Sequence, residues 1–137
     1  MAKIKQALDT ALVEKDVENI YREWFGKALP NSSITSPYGC DGFLVSQKHT
    51  LWLLLELKYD LDFTKHSEIG KVLIQALFYM KKFELDGATL PTVIFVGDKN
   101  ECFIMHANDL LPYLDQQLDW GIAPSSAYEK YPELRTE

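Results

Sequence analysis

Leu51-Trp-Leu-Leu-Leu-Glu56-Leu-Lys58-Tyr59 is a near-continuous apolar run broken by two charges, and its reading decides the fold. A strand covered on both faces shows this kind of run, and residues two apart on a strand point to the same side of the sheet. Glu56 and Lys58 therefore share a face. Charges are costly at the end of a buried strand unless they are paired or hold an ion, so this pair calls for a partner. The nearest upstream candidate is Asp41, set between Tyr38-Gly39-Cys40 and the apolar segment Phe43-Leu44-Val45.

Working outward, Asp41 to Gln47 reads as a strand with an early irregularity at Gly42, and Lys48-His49 as a short connection to Leu51. An antiparallel hairpin of this kind brings Asp41 level with the end of the next strand, beside Glu56 and Lys58. Tyr59 to Lys65 is a polar loop. Ser67 to Glu84 has helical spacing of Ile69, Val72, Leu73, Ala76, Leu77, Met80 and Phe83, with Gln75 and Tyr79 one turn apart on a common side. Lys71, Lys81 and Lys82 on that helix are within reach of phosphates or simply solvated. Asp86-Gly87-Ala88 ends it. Thr92 to Val96 reads as a buried strand, Gly97 to Asn100 as a turn and Glu101 to His106 as a further strand. A final helix is expected over Asp109 to Leu118, capped by Asn108, with Pro112 tolerated in its first turn.

Upstream, Val13, Val17, Ile20, Tyr21, Trp24 and Phe25 predict an amphipathic helix from Leu12 to Ala28, started by Thr10 or Asp9 and followed by Pro30. Glu14 and Glu18 lie one turn apart beside its apolar stripe, as a solvated flank or as carboxylates turned toward the Asp41 site. Asn31 to Gly39 is rich in turn formers and holds only a short strand around Ile34. The expected order is α-β-β-β-α-β-β-α, an α/β (α+β) chain with a mixed central sheet flanked by helices. One domain over residues 1–119 is expected, with 120–137 as a tail, a linker or a wrap along the surface, and the chain as a possible fragment of something longer.

At the level of motifs, Asp41 followed by Glu56-Leu57-Lys58, with Gln75-Ala-Leu-Phe-Tyr79 on the next helix, resembles the PD-(D/E)XK nuclease family. The second piece is similar to the Q-x-x-x-Y motif of RecB-type nucleases and of restriction-enzyme nuclease domains, and Val13 to Ile20 resembles the opening of such domains. The likeness spans roughly residues 14 to 107. It implies a three-layer αβββαβ core of restriction-endonuclease type and metal-dependent cleavage of DNA. It implies catalytic roles for Asp41, Glu56, Lys58, Gln75 and Tyr79. Mg²⁺ (or Mn²⁺) would be held by Asp41, Glu56, the backbone carbonyl of Leu57 and an acidic residue of the first helix, Glu14 or Glu18. DNA is the implied partner, together with further domains or subunits of a restriction-modification enzyme. A nuclease-like fold without catalysis, used as a DNA- or protein-binding module, is the alternative, and an RNA nuclease a third possibility.

Composition bounds these readings. The chain has 137 residues, 47% of them hydrophobic and 25% charged, which suits one globular domain and argues against disorder. It has no apolar run long enough for a membrane helix, and Met1 to Thr10 lacks the apolar core of a secretion signal, so the cytoplasm is the expected compartment. The net charge of −6 argues against strong general affinity for nucleic acid, because Lys and Arg supply most non-specific binding. Cys40 and Cys102 have no CxxC spacing and read as small apolar fillers; His49, His66 and His106 have no metal-ligand spacing. Gly-rich phosphate loops are absent from the sequence.

Overall fold

A computed structural model describes residues 2–46, 51–116, 118–124 and 127. Its elements are α1 (Ala2–Asp9), α2 (Glu14–Ala28), β1 (Ser33–Thr35), β2 (Gly42–Ser46), β3 (Leu51–Leu57), α3 (His66–Leu85), β4 (Val93–Gly97) and β5 (Cys102–His106). The strands form one five-stranded sheet in the order β1-β2-β3-β4-β5. Only the β3–β4 pair is parallel, and α3 supplies the crossover that parallel neighbours require. The expected mixed sheet flanked by helices is therefore observed. The expected Lys48-His49 connection lies outside the described residues, yet the pairing it implied is present: β2 and β3 run antiparallel from Gly42 opposite Leu55 to Ser46 opposite Leu51.

The central strand β3 has apolar neighbours on both sides because the sheet is covered on both sides. Its odd positions, Leu53, Leu55 and Leu57, pack with Ile4, Leu8, Val17, Tyr21 and Phe25 of α1 and α2. Leu54 belongs instead to the cluster of Val72, Phe78, Met80 and Phe83 from α3. Each such side chain taken out of water stabilises the fold by about 1.5–3 kcal/mol, so the two clusters clamp β3 between helices. The edge strand β5 is covered on one side only: Phe103 and Met105 pack toward α3, whereas Ile104 is 68% exposed on the other side.

Local sequence chemistry accounts for several departures from expectation. α1 was not anticipated; Ile4 and Leu8, one turn apart, bury its apolar side against α2 together with Ala11. α2 starts at Glu14, and neither Thr10 nor Asp9 caps it. The Asp16 carboxylate reaches back to accept the Leu12 and Val13 amides at 2.9 and 3.2 Å. The expected final helix is replaced by two 3₁₀ turns, Ala107–Asp109 and Leu111–Asp115, with Asn108 inside the first. Pro112 stands at the start of the second turn, where its missing N–H costs no helical bond, as expected of a first-turn proline. Cys40 is buried as expected of an apolar filler, but Cys102 stands exposed on β5. Past residue 119, the Trp120 ring lies 4.7 Å from that of Phe78, and Ile122 packs on the same cluster. Among the described residues no helix is long and apolar enough to cross a membrane.

Candidate functional site

The candidate site forms where β2 begins and β3 ends. Gly42 makes the close approach of these strands possible: a Cβ there would lie 2.8 Å from Leu55 Cδ1. Continuing the register one step beyond the Gly42–Leu55 pair sets Asp41 level with Glu56. The Asp41 carboxylate accepts the Leu57 amide hydrogen bond at 2.7 Å through Oδ2. The two residues anticipated from a distance of sequence are thus tied to the same strand end. Leu57 meets the site through its N–H, a contact distinct from the carbonyl role that the resemblance implies.

Glu56 is the unusual member. It is 1% exposed, and its Oε1 has no hydrogen-bond partner among the described residues. Buried polar atoms are nearly always satisfied, and an unpartnered buried carboxylate oxygen needs a specific explanation. Burial pushes the Glu56 carboxyl well above the usual carboxylate range, and the neighbouring Asp41 charge pushes it further in the same direction. Asp41 is itself raised to about 6, chiefly by burial; the Leu57 amide and Lys58 pull against that shift, while Glu18 and Glu14 add to it. Carboxyl groups held this close resist carrying full charge together, and a cation placed among them would relieve both causes.

Lys58 follows β3 directly, its amide donating to the Gly97 carbonyl at 3.0 Å, so the ladder carries on to the site. Its Nζ donates to Gln75 Oε1 at 3.1 Å. Gln75 is 7% exposed, so this bond is made in a sheltered place and fixes where the ammonium sits. One turn along α3, the Tyr79 hydroxyl donates to the Gly39 carbonyl in a long contact of 3.4 Å. Tyr79 is raised to about 12, by burial first and then by the Glu56 and Asp41 charges, which places its ring beside the same acidic group. Cys40 also rises to about 12, mainly through burial, so the thiol next to Asp41 is not a nucleophile at neutral pH.

From the other side, α2 brings both of its candidate carboxylates. Oxygens of Glu14, Glu18 and Asp41 all lie within 4.8 Å of one another. The structure therefore places both glutamates at the site instead of choosing between them. All of these donors are oxygens, the set that Mg²⁺ and Mn²⁺ favour, and the lone buried oxygen of Glu56 beside them supplies a reason for a cation to be there.

Two residues that sequence reasoning missed hold this arrangement. Arg22 Nη1 donates to Ser36 Oγ at 2.8 Å and to the Asp41 carbonyl at 3.0 Å. Glu14, Glu18 and Arg22 follow one another at intervals of one helical turn, so the residue that grips the Asp41 turn shares a face with the two carboxylates. That spacing was the available signal. The turn it grips is strained: Tyr38 has φ +60°, a costly conformation for a residue with a Cβ. The Tyr38 hydroxyl donates to the Asp86 carboxylate, and its ring meets Phe83 edge-on, which secures the turn on α3.

The second missed residue is Asp98, which is fully buried. Its carboxylate accepts the amides of Leu61, Asn100 and Glu101 at 2.7, 2.7 and 2.8 Å, and its carbonyl accepts the Tyr21 hydroxyl at 2.9 Å. The bond to Leu61 fastens the loop after Lys58 to the β4–β5 turn. That loop walls a cleft of about 410 Å³ that opens beside the carboxylates and is lined by Glu14, Lys58, Tyr59, Asp60, Glu68, Lys71 and Gln75, among others. No sequence signal distinguished Asp98 from an ordinary turn aspartate.

Comparison of the chain with protein-family models, with curated proteins and with solved structures finds no match.

Proposed function

We propose that this chain is a Mg²⁺- or Mn²⁺-dependent DNA endonuclease domain of the PD-(D/E)XK type, working in the cytoplasm as the cutting part of a restriction or restriction-modification enzyme. The observation that carries the reading is the buried Glu56 oxygen without a hydrogen-bond partner among the described residues, beside an Asp41 raised to about 6. The element order α2-β1-β2-β3-α3-β4, with β3 parallel to β4, supports it as an αβββαβ core.

Asp41, Glu56, the Leu57 carbonyl and one or both of Glu14 and Glu18 would hold the cation. A hard divalent ion there offsets charge on the phosphate oxygens and lowers the pKa of an attacking water. Lys58 balances the charge of the scissile phosphate and orients the water, held in its place by Gln75 Oε1. Tyr79 ties α3 to the turn that carries Asp41. Arg22 sets the distance between α2 and that turn.

A second reading is a nuclease-like module that binds DNA or protein without cutting. The net charge of −6 and the acidic residues Glu14, Asp60 and Glu68 along the cleft favour its protein-binding form, because they repel phosphates. Plasmid cleavage with Mg²⁺ or Mn²⁺ decides between the two, comparing the wild type with Lys58→Ala and Asp41→Ala. Cleavage that each substitution lowers by at least about a hundredfold supports the enzyme. Cleavage indifferent to both substitutions refutes the site, and no cleavage with no Mn²⁺ binding leaves the module.

A further inference from the structure

We propose that Lys71 is a second phosphate-binding residue of this cleft, holding the phosphate next to the one that is cut, so that the substrate is a strand with at least two consecutive phosphates. This rests on the nuclease reading and extends it from the scissile group to its neighbour. Lys71, Gln75 and Tyr79 succeed one another by single turns of α3, so Lys71 continues the face that already holds Lys58 through Gln75. Gln75, about 5–6 Å from Lys71 between Cβ atoms, holds the Lys58 ammonium, so both positive groups open on the same cleft.

The lysines of α3 differ in what they face. Lys81 is committed to the Glu84 carboxylate at 2.6 Å and to the Leu114 carbonyl at 2.8 Å. Lys71 lines the cleft together with Lys58 and makes no ion pair among the described residues. The carboxylate one turn before it, Glu68, is occupied elsewhere: it accepts the Asp62 amide at 3.1 Å and lies 3.9 Å from Lys65 Nζ. Lys71, which makes no ion pair among the described residues, shares the cleft with Lys58 and is free to take a phosphate from outside. A strand laid across Lys58 and Lys71 supplies two such partners.

The test is cleavage of a DNA oligonucleotide with Mg²⁺ in which neutral methylphosphonates replace the phosphates one at a time. For the wild type, one neutral position adjoining the cut is expected to lower kcat/KM about tenfold, the scale of one lost charge-assisted contact. Lys71→Ala should lower it about as much on the all-phosphate strand, and by nothing further when that position is already neutral. The salt dependence of KM should flatten by about 0.7–0.9 of a log–log slope, one phosphate contact. Lys27→Ala, which removes an exposed charge paired with Glu23, should change neither quantity.

If the two losses multiply at every position, or if Lys27→Ala acts as Lys71→Ala does, the contact is not made and the nuclease reading stands without it. If the wild type cuts nothing with Mg²⁺ or Mn²⁺, the nuclease reading and this inference fall together. Lys71 is exposed and makes no ion pair among the described residues, so the variant is expected to unfold at the wild-type urea midpoint.

Discussion

Replacing Asp41 by Asn should make the metal-free protein more stable at pH 8, although it removes a residue from the heart of the site. Asp41 rises from an ordinary 3.8 to about 6 in the folded chain. The folded state therefore keeps this proton up to a higher pH than the unfolded state does. Stability is lost as pH rises from about 4, where the unfolded chain gives up the proton, to about 6, where the folded chain does, and the loss is complete above that. At 1.36 kcal/mol per unit, a shift of this size corresponds to at most about 3 kcal/mol, so Asp41→Asn should recover about 1–3 kcal/mol at pH 8. Asn retains a side-chain oxygen to accept the Leu57 amide, so that bond survives the substitution. It also removes the negative charge that helps to raise Glu56.

The assay is urea unfolding with EDTA at pH 4 and pH 8, repeated at pH 8 with Mn²⁺. The variant should match the wild type at pH 4 and exceed it at pH 8. With Mn²⁺ the variant's lead should shrink by up to about 2.7 kcal/mol, because a cation at a hundred times its Kd stabilises the wild type by that much and the variant far less. A variant less stable than the wild type at pH 8 without metal would show that the protein itself satisfies the carboxylate. The argument for a cation would then lose its foundation.

Two further substitutions probe how the site is held. Arg22→Gln loses the bonds to Ser36 Oγ and the Asp41 carbonyl. It should cost about 1–2 kcal/mol in urea unfolding and weaken Mn²⁺ binding about tenfold by calorimetry; unchanged Mn²⁺ affinity would show that α2 is positioned without it. Asp98→Ala strips the acceptor from three buried amides and should lower the unfolding free energy by about 2–4 kcal/mol at pH 7. A loss below 1 kcal/mol would mean that the loop after Lys58 is held by other bonds.

Much of this arrangement was legible in one dimension. Alternation along β3 put Glu56 and Lys58 on one side, and the nearly equal arms of the hairpin put Asp41 beside them. Helical spacing on α3 placed Gln75 and Tyr79 together, and the structure shows Gln75 turned inward onto Lys58. The Ile4–Leu8 spacing that marks α1 is also in the sequence, but two apolar residues on a short segment carry little weight until a neighbouring helix covers them. Pro112 keeps its first-turn place, but at the start of a short 3₁₀ turn in place of the expected α-helix.

What the amino-acid sequence determined on its own is the run of elements from α2 to β5 and the face on which their chemical groups lie, since strand and helix periods are properties of the local backbone. What only the tertiary structure decided is who meets whom. Arg22 becomes a clamp because α2 lies against the Ser36–Asp41 turn, Asp98 becomes an anchor because a loop thirty-odd residues earlier in the chain passes over it, and Glu56 becomes an orphan because both sides of the sheet are covered. Burial and non-local hydrogen bonds arise only when separate elements exclude water between them, and no local pattern records that.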